Sequence, residues 1–249
     1  MKTLVLVGSG EFTESMLKID NYLIEKIRKN PTSPRLRGAG KINVAIIPTA
    51  AVPDDKQEVW IEDGVKHFKK LGANPFGLNI VKQKDANSVS ILKKLKTADI
   101  IYFSGGHPGF LLETFKDTEA WNVILNLYQQ GIILAGSSAG AMIFGNYVLA
   151  NAQESFDRGI EPIWVKGFNL VPYTIFPHYD WVQKNKQELF KKVLDSAPKY
   201  VRESWMGIDE DTALIISDNK KVELYGKGNL IIQSENKSFN YHSGHKFLI

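Results

Sequence analysis

The sequence predicts an α/β fold: a single doubly wound, mostly parallel sheet flanked by helices, with a β-rich C-terminal end. Two observations carry that prediction. From the N-terminus to about residue 145, short continuous apolar runs alternate with segments of helical period. Strands that are apolar throughout belong to parallel sheets buried between two helix layers. Beyond about residue 200, short strand-like segments separated by turn residues replace that alternation and read as an antiparallel meander.

Taken in order, Leu4 to Val7 is the first strand, followed by a helix around Glu14 to Lys29. Val44 to Pro48 is the second, followed by a helix over Lys56 to Leu71. Leu78 to Val81 precedes a helix over Ser88 to Leu95. Ile100 to Phe103 leads into helical Phe110 to Phe115 and Ala120 to Tyr128. Ile132 to Ala135 is the fifth strand, and Ala139 to Phe144 starts a helix. The pattern loosens after Gly145, returns as strand Thr174 to Phe176, and gives one helix over Val182 to Leu194. The meander comprises Ala213 to Ile216, Val222 to Tyr225, Leu230 to Gln233 and Ser238 to Tyr241, with Asp218-Asn219 and Gly226-Lys227-Gly228 as turns.

At 249 residues and 43% hydrophobic, the chain has enough apolar side chains for a substantial core. No Pro/Gly/Ser-rich linker, low-complexity tract or repeat divides it, so one domain over 1–249 is expected. Lys26 to Lys41, broken by Pro31 and Pro34, reads as an exposed basic loop. No apolar stretch reaches membrane-spanning length, and the first apolar run meets Gly8 too early for a secretory core. A cytoplasmic protein without a membrane partner is the expectation. The net charge is +4, but the lysines are dispersed along amphipathic helices, so no nucleic-acid partner is expected. The absence of cysteine excludes disulfides, zinc-thiolate sites and every cysteine nucleophile.

The chemistry-bearing feature is Gly136-Ser137-Ser138-Ala139-Gly140, a Gly-x-Ser-x-Gly between a buried strand and a helix start. A tight turn there projects the Ser138 hydroxyl, and the Ala139 N–H faces the place where an oxyanion would form. Four loops leave the carboxyl ends of strands, where open α/β sheets bind ligands: Gly8 to Glu11, Pro48 to Ala50, Ser104 to His107, and Gly136 to Ser138.

A serine nucleophile needs a base, and there are five histidines. His67 reads as a solvated residue of a Lys-rich helix, and His242 with His245 as part of a turn. His178, at a strand end 40 residues past Ser138, is the preferred base, while His107 in its glycine-rich turn lines the substrate side with Gly105 and Glu11. Gly105-Gly106 offers a second oxyanion donor. The acid is sought in the loop after the nucleophile helix, where Glu154 comes first, with Asp157 and Glu161 as alternatives. Gly8-Ser9-Gly10 is half a dinucleotide fingerprint, but Thr13 stands at the third glycine's place. Asp209-Glu210-Asp211 reads as a solvated or hydrogen-bonded loop rather than a metal site.

These segments resemble the dipeptidase E and cyanophycinase group of serine peptidases, which share the class I glutamine amidotransferase-like fold. The resemblance runs through Gly8-Ser9-Gly10-Glu11-Phe12, Gly105-Gly106 with Phe110-Leu111-Leu112, the elbow Gly136 to Ala141, Pro177-His178-Tyr179-Asp180, and Ile208 to Leu214. It implies a Ser138 nucleophile, a His178 base, an acid from the intervening loop, and an oxyanion hole from Gly106 and Ala139. It also implies hydrolysis of small peptides through an acyl-enzyme, with no cofactor and no metal. The same triad would serve an esterase, and an inactive binding protein on this fold is the third reading. Where aspartyl dipeptidases of the group carry Asn after the paired glycines and cyanophycinases carry Asp-Gln, this chain has His107-Pro108.

Overall fold

The computed structural model describes residues 2–29, 40–218, 220–235 and 237–249. The tip of the expected basic loop, with Pro31 and Pro34, lies outside these residues, as does Asn219 of the expected turn.

Strand β1 (Thr3–Val7) precedes a 3-10 turn (Glu14–Met16) and α1 (Leu17–Lys29). Strand β2 (Asn43–Ile47), a second 3-10 segment (Thr49–Asp54), α2 (Gln57–Lys70) and β3 (Asn74–Gly77) follow. Then come α3 (Val89–Leu95), β4 (Ile100–Phe103), α4 (Pro108–Phe115), α5 (Glu119–Gln129), β5 (Ile133–Ser137) and α6 (Ala139–Met142). Beyond the elbow lie β6 (Tyr147–Leu149), α7 (Ala152–Arg158), β7 (Trp164–Lys166), β8 (Thr174–Phe176), α8 (Tyr179–Asn185), α9 (Gln187–Asp195) and α10 (Lys199–Glu203). The chain closes with β9 (Ser204–Ile208), β10 (Thr212–Ser217), β11 (Lys221–Gly226), β12 (Asn229–Ser234), β13 (Lys237–His242) and β14 (Lys246–Leu248).

The main sheet has the order β14-β11-β10-β1-β5-β4-β2-β3. Its β1, β5, β4, β2 and β3 run parallel, and β10, β11 and β14 form an antiparallel edge. Alternation along β1 assigns the two faces: Leu4 and Leu6 pack with residues of α4, α5 and α6, while Val5 and Val7 pack with α1 and with Phe68 of α2. Helices thus cover both faces, and each apolar strand is dictated by burial on both sides. Register places the site. Val7 pairs with Ser137 and Phe103 with Gly136, so the loops after β1, β4 and β5 leave the sheet side by side.

A second sheet, β13-β12-β9-β8, packs into the same apolar core, and β6 pairs with β7. The expected single meander is therefore divided: β10 and β11 extend the main sheet, whereas β12 pairs with β9 and β13. Gly226-Lys227-Gly228 carries the chain from one sheet to the other rather than closing a hairpin. The third strand is Asn74–Gly77, not Leu78 to Val81. Leu78 and Ile80 are buried, but pairing with β2 ends near Ile46, and apolarity reports burial rather than pairing. The expected helix Val182 to Leu194 is two helices, broken at Lys186, which has φ −137°.

Candidate active site

The turn from β5 to α6 has the geometry that its glycines permit. A Cβ on Gly136 would lie 2.2 Å from the Gly140 carbonyl oxygen, and one on Gly140 would lie 2.4 Å from that of Phe103. No side chain fits at either place. Between them Ser138 takes φ 51° and ψ −116°, a costly backbone conformation for a residue with a side chain. It is held there because the Ser138 N–H donates to Val7 O (3.0 Å), and Ser138 O accepts from the N–H groups of Ala141 and Met142.

His178 follows β8 and sits just before α8, with φ 51°. Ser138 Oγ and His178 Nε2 are 2.9 Å apart, and His178 Nδ1 is 2.7 Å from Glu210 Oε1. A carboxylate only accepts, so the ring donates from Nδ1 and leaves Nε2 to accept the serine proton. Glu210 lies in the turn between β9 and β10, where its own N–H donates to Asp180 Oδ1 (3.0 Å). The chain order is thus serine, histidine, acid.

Glu154, the expected acid, is elsewhere. It sits in the first turn of α7 and pairs loosely with Arg158 at 3.9 Å. Asp157 is exposed at the cavity rim, and the Glu161 carbonyl binds Asn151 Nδ2. The segment after the elbow builds β6, α7 and β7 instead of returning to His178. The carboxylate arrives later, where the chain passes from the second sheet back to the main one. Glu210 falls within the Ile208 to Leu214 segment, beyond His178, rather than in the loop between serine and histidine.

The three acids of that turn have separate tasks. Asp209 Oδ2 accepts from the Asn229 N–H (2.7 Å), and burial pushes the Asp209 carboxyl pKa up. Asp211 accepts from Lys227 Nζ (2.8 Å) and Ser15 Oγ (2.7 Å), which together hold its pKa below the usual value. The Gly8-Ser9-Gly10 loop packs directly on this turn: a Cβ on Gly8 would lie 2.0 Å from Asp209 O. Close backbone approach, rather than a phosphate, accounts for that glycine.

Glu11 is 5% exposed. Its Oε1 accepts from the Gly105 N–H (2.8 Å) and its Oε2 from Ser137 Oγ (2.6 Å). Glu11 and Gly105 border the cavity, yet their polar groups are engaged with each other rather than free for substrate. His107 does not line the cavity: its Nε2 lies 3.1 Å from Asp54 Oδ1, and its backbone N–H donates to Ala50 O. Pro108 occupies the wall instead. The N–H groups of Gly106 and Ala139 have no acceptor among the described residues. Ala139 follows Ser138 directly, and Gly106 borders the same cavity next to Gly105, whose added Cβ would lie 3.2 Å from Ser138 Cβ.

His67 departs from its expected solvated place. It is 4% exposed, and its Nε2 is 2.8 Å from Asp20 Oδ2, beneath α1. A Lys-rich helix hides its apolar face in sequence, and His67 belongs to that face. His242 and His245 form a turn, with the His242 N–H donating to His245 Nδ1 and its ring binding Asn229 Oδ1.

Ser138, His178 and Glu210 open onto a cavity of about 590 Å³. Its walls come from the loops after β1, β2, β4 and β5 and from α6, α7 and α8.

The model of peptidase family S51 matches residues 4–224. An uncharacterized peptidase of Listeria monocytogenes is 31% identical over 138 residues, covering 55% of this chain and 65% of that protein. A cyanophycinase of Trichormus variabilis is 25% identical over 201 residues, covering 78% of this chain and 64% of that enzyme. The chain thus spans just under two thirds of the length of these two relatives. The crystal structure of a peptidase from an acI-B1 actinobacterium superposes with a TM-score of 0.84 at 28% identity, over 100% of this chain and 97% of that one. With the family match running from β1 into β11, the chain belongs to peptidase family S51, a family of serine peptidases.

Proposed function

We propose that this protein hydrolyses short peptides, with Ser138 as nucleophile, His178 as general base and Glu210 as the acid that orients the imidazole. The observation that carries the proposal is the unbroken hydrogen-bond chain Ser138 Oγ, His178 Nε2, His178 Nδ1, Glu210 Oε1, at 2.9 and 2.7 Å. His178 takes the Ser138 proton as Oγ attacks the scissile carbonyl carbon. Negative charge then collects on the former carbonyl oxygen, where the N–H groups of Gly106 and Ala139 receive it. His178 returns its proton to the leaving amine nitrogen. Water, deprotonated by the same imidazole, attacks the acyl carbon; the bond to Ser138 Oγ then breaks, His178 returns that proton to Oγ, and the acid product leaves. Glu210 holds the ring through Nδ1 and stabilises the imidazolium.

A fluorophosphonate probe tests the reading. It should label the wild-type protein on Ser138 and leave Ser138→Ala and His178→Ala unlabelled. Equal labelling of wild type and Ser138→Ala would refute it, as would no labelling of either.

A further inference from the structure

The catalytic groups use only part of the cavity. Glu11 is engaged by Gly105 and Ser137, Glu210 by His178, and Asp54 by His107. The other charged groups on the wall, Lys56 and Asp157, lie exposed at the rim. Apart from Ser9 and Gln153, the remaining side chains of the wall are mainly apolar. Met142 and Phe176 are 4% and 3% exposed, and Val182 is also buried. Phe156 of α7 continues this surface, and the exposed indole of Trp181 on α8 borders it. Behind them the wall is stiff, because Phe176 packs edge-on against Phe190 and Trp205, with ring centroids 5.0 and 5.9 Å apart.

We propose that Met142, Phe156, Phe176, Trp181 and Val182 form a subsite for a bulky apolar side chain flanking the scissile bond. This deepens the hydrolase reading above and rests on it for the position of that bond. Three features support the assignment. The wall adjoins His178 directly, since Trp181 and Val182 follow it on the next helix. An apolar side chain loses water on both surfaces when it enters, whereas a charged one would be desolvated there without a partner. Carboxylates outnumber the single lysine on the cavity lining, so an acidic side chain meets unfavourable charge.

The test uses dipeptides Xaa-Gly and Gly-Xaa with Xaa as Phe, Leu, Asp or Arg. At one of the two positions kcat/KM for Phe or Leu should exceed that for Asp and Arg by about tenfold or more. Trp181→Ala, which removes an exposed side chain, and Phe156→Ala should each lower the Phe-to-Asp ratio by about tenfold. Preference for Asp or Arg at both positions overturns the subsite, as does an unchanged ratio in both variants. Calorimetric binding of the same dipeptides to Ser138→Ala separates the two claims, since it needs no turnover. Tighter binding of the Phe peptide supports the subsite even if the fluorophosphonate fails to label. Tighter binding of the Asp or Arg peptides removes the subsite while leaving a labelled Ser138 its role.

Discussion

Glu11 and Ser137 stand 126 positions apart in sequence and are joined by a carboxylate–hydroxyl hydrogen bond of 2.6 Å. The other oxygen of Glu11 holds the Gly105 N–H, so one buried side chain ties the loop after β1 to the loop after β4 and to the elbow. Gly106 and Ser138 are each one residue from these anchor points. Glu11→Ala should therefore misplace the Gly106 donor and lower kcat by about 10²–10³-fold, the loss typical of a missing oxyanion donor. Glu11→Gln, which can still accept from Gly105 and donate to Ser137 Oγ, should recover much of it with KM little changed. Steady-state kinetics on both variants checks the split.

Glu210→Gln should cost about 10²–10⁴-fold in kcat, because an amide can donate to Nδ1 and stabilise the wrong tautomer. Glu154→Ala should leave kcat within about twofold, since the partner of its carboxylate among the described residues is Arg158, one turn along the same helix. Comparing the two variants on one substrate decides which carboxylate serves His178.

Ser138 stores backbone strain at φ 51° and ψ −116°. Ser138→Gly should abolish turnover and raise unfolding stability by about 1–3 kcal/mol, because glycine adopts that conformation cheaply. Denaturant unfolding followed by circular dichroism provides the measure. A variant less stable than wild type would show that the serine contacts outweigh the strain.

Acid stability should depend on Asp211. Lys227 and Ser15 hold its folded pKa below the unfolded value of 3.8. Between those two pKa values the unfolded chain binds more protons than the folded one, so stability rises with pH through the window. The contribution is complete above 3.8 and is lost as pH falls through the depressed pKa. In Lys227→Met the stability lost between pH 5 and pH 3 should be smaller than in wild type. Urea midpoints across that range test it.

How much of this was readable in the sequence follows from what each signal reports. The apolar runs of β1, β2, β4 and β5 are buried on both faces, so composition alone marks them. Strand β9 escaped notice because Trp205-Met206-Gly207-Ile208 carries no alternation, its partners being set by β8 and β12, distant in sequence. The proximity of Ser138 and His178 was legible because the glycine pattern fixes the elbow and Pro177-His178 marks a strand end. The Asp209-Glu210-Asp211 cluster was visible too, but that the Glu210 carboxylate reaches His178 depends on the pairing of two sheets, which no local pattern encodes. His67 was misplaced for a related reason: its partner Asp20 lies on another helix, and burial of a polar pair leaves no apolar trace.

Ser138 rides on the main sheet and His178 on the second, while Glu210 occupies the turn that links them. Under the proposed mechanism neither sheet supplies a site alone, because Ser138 meets its base only where the strand that precedes His178 is held by β9. The pairing of β8 with β9 therefore sets the distance between nucleophile and base, so that a substitution loosening that strand pair, far from the elbow, is expected to weaken the proposed catalysis without touching a catalytic side chain.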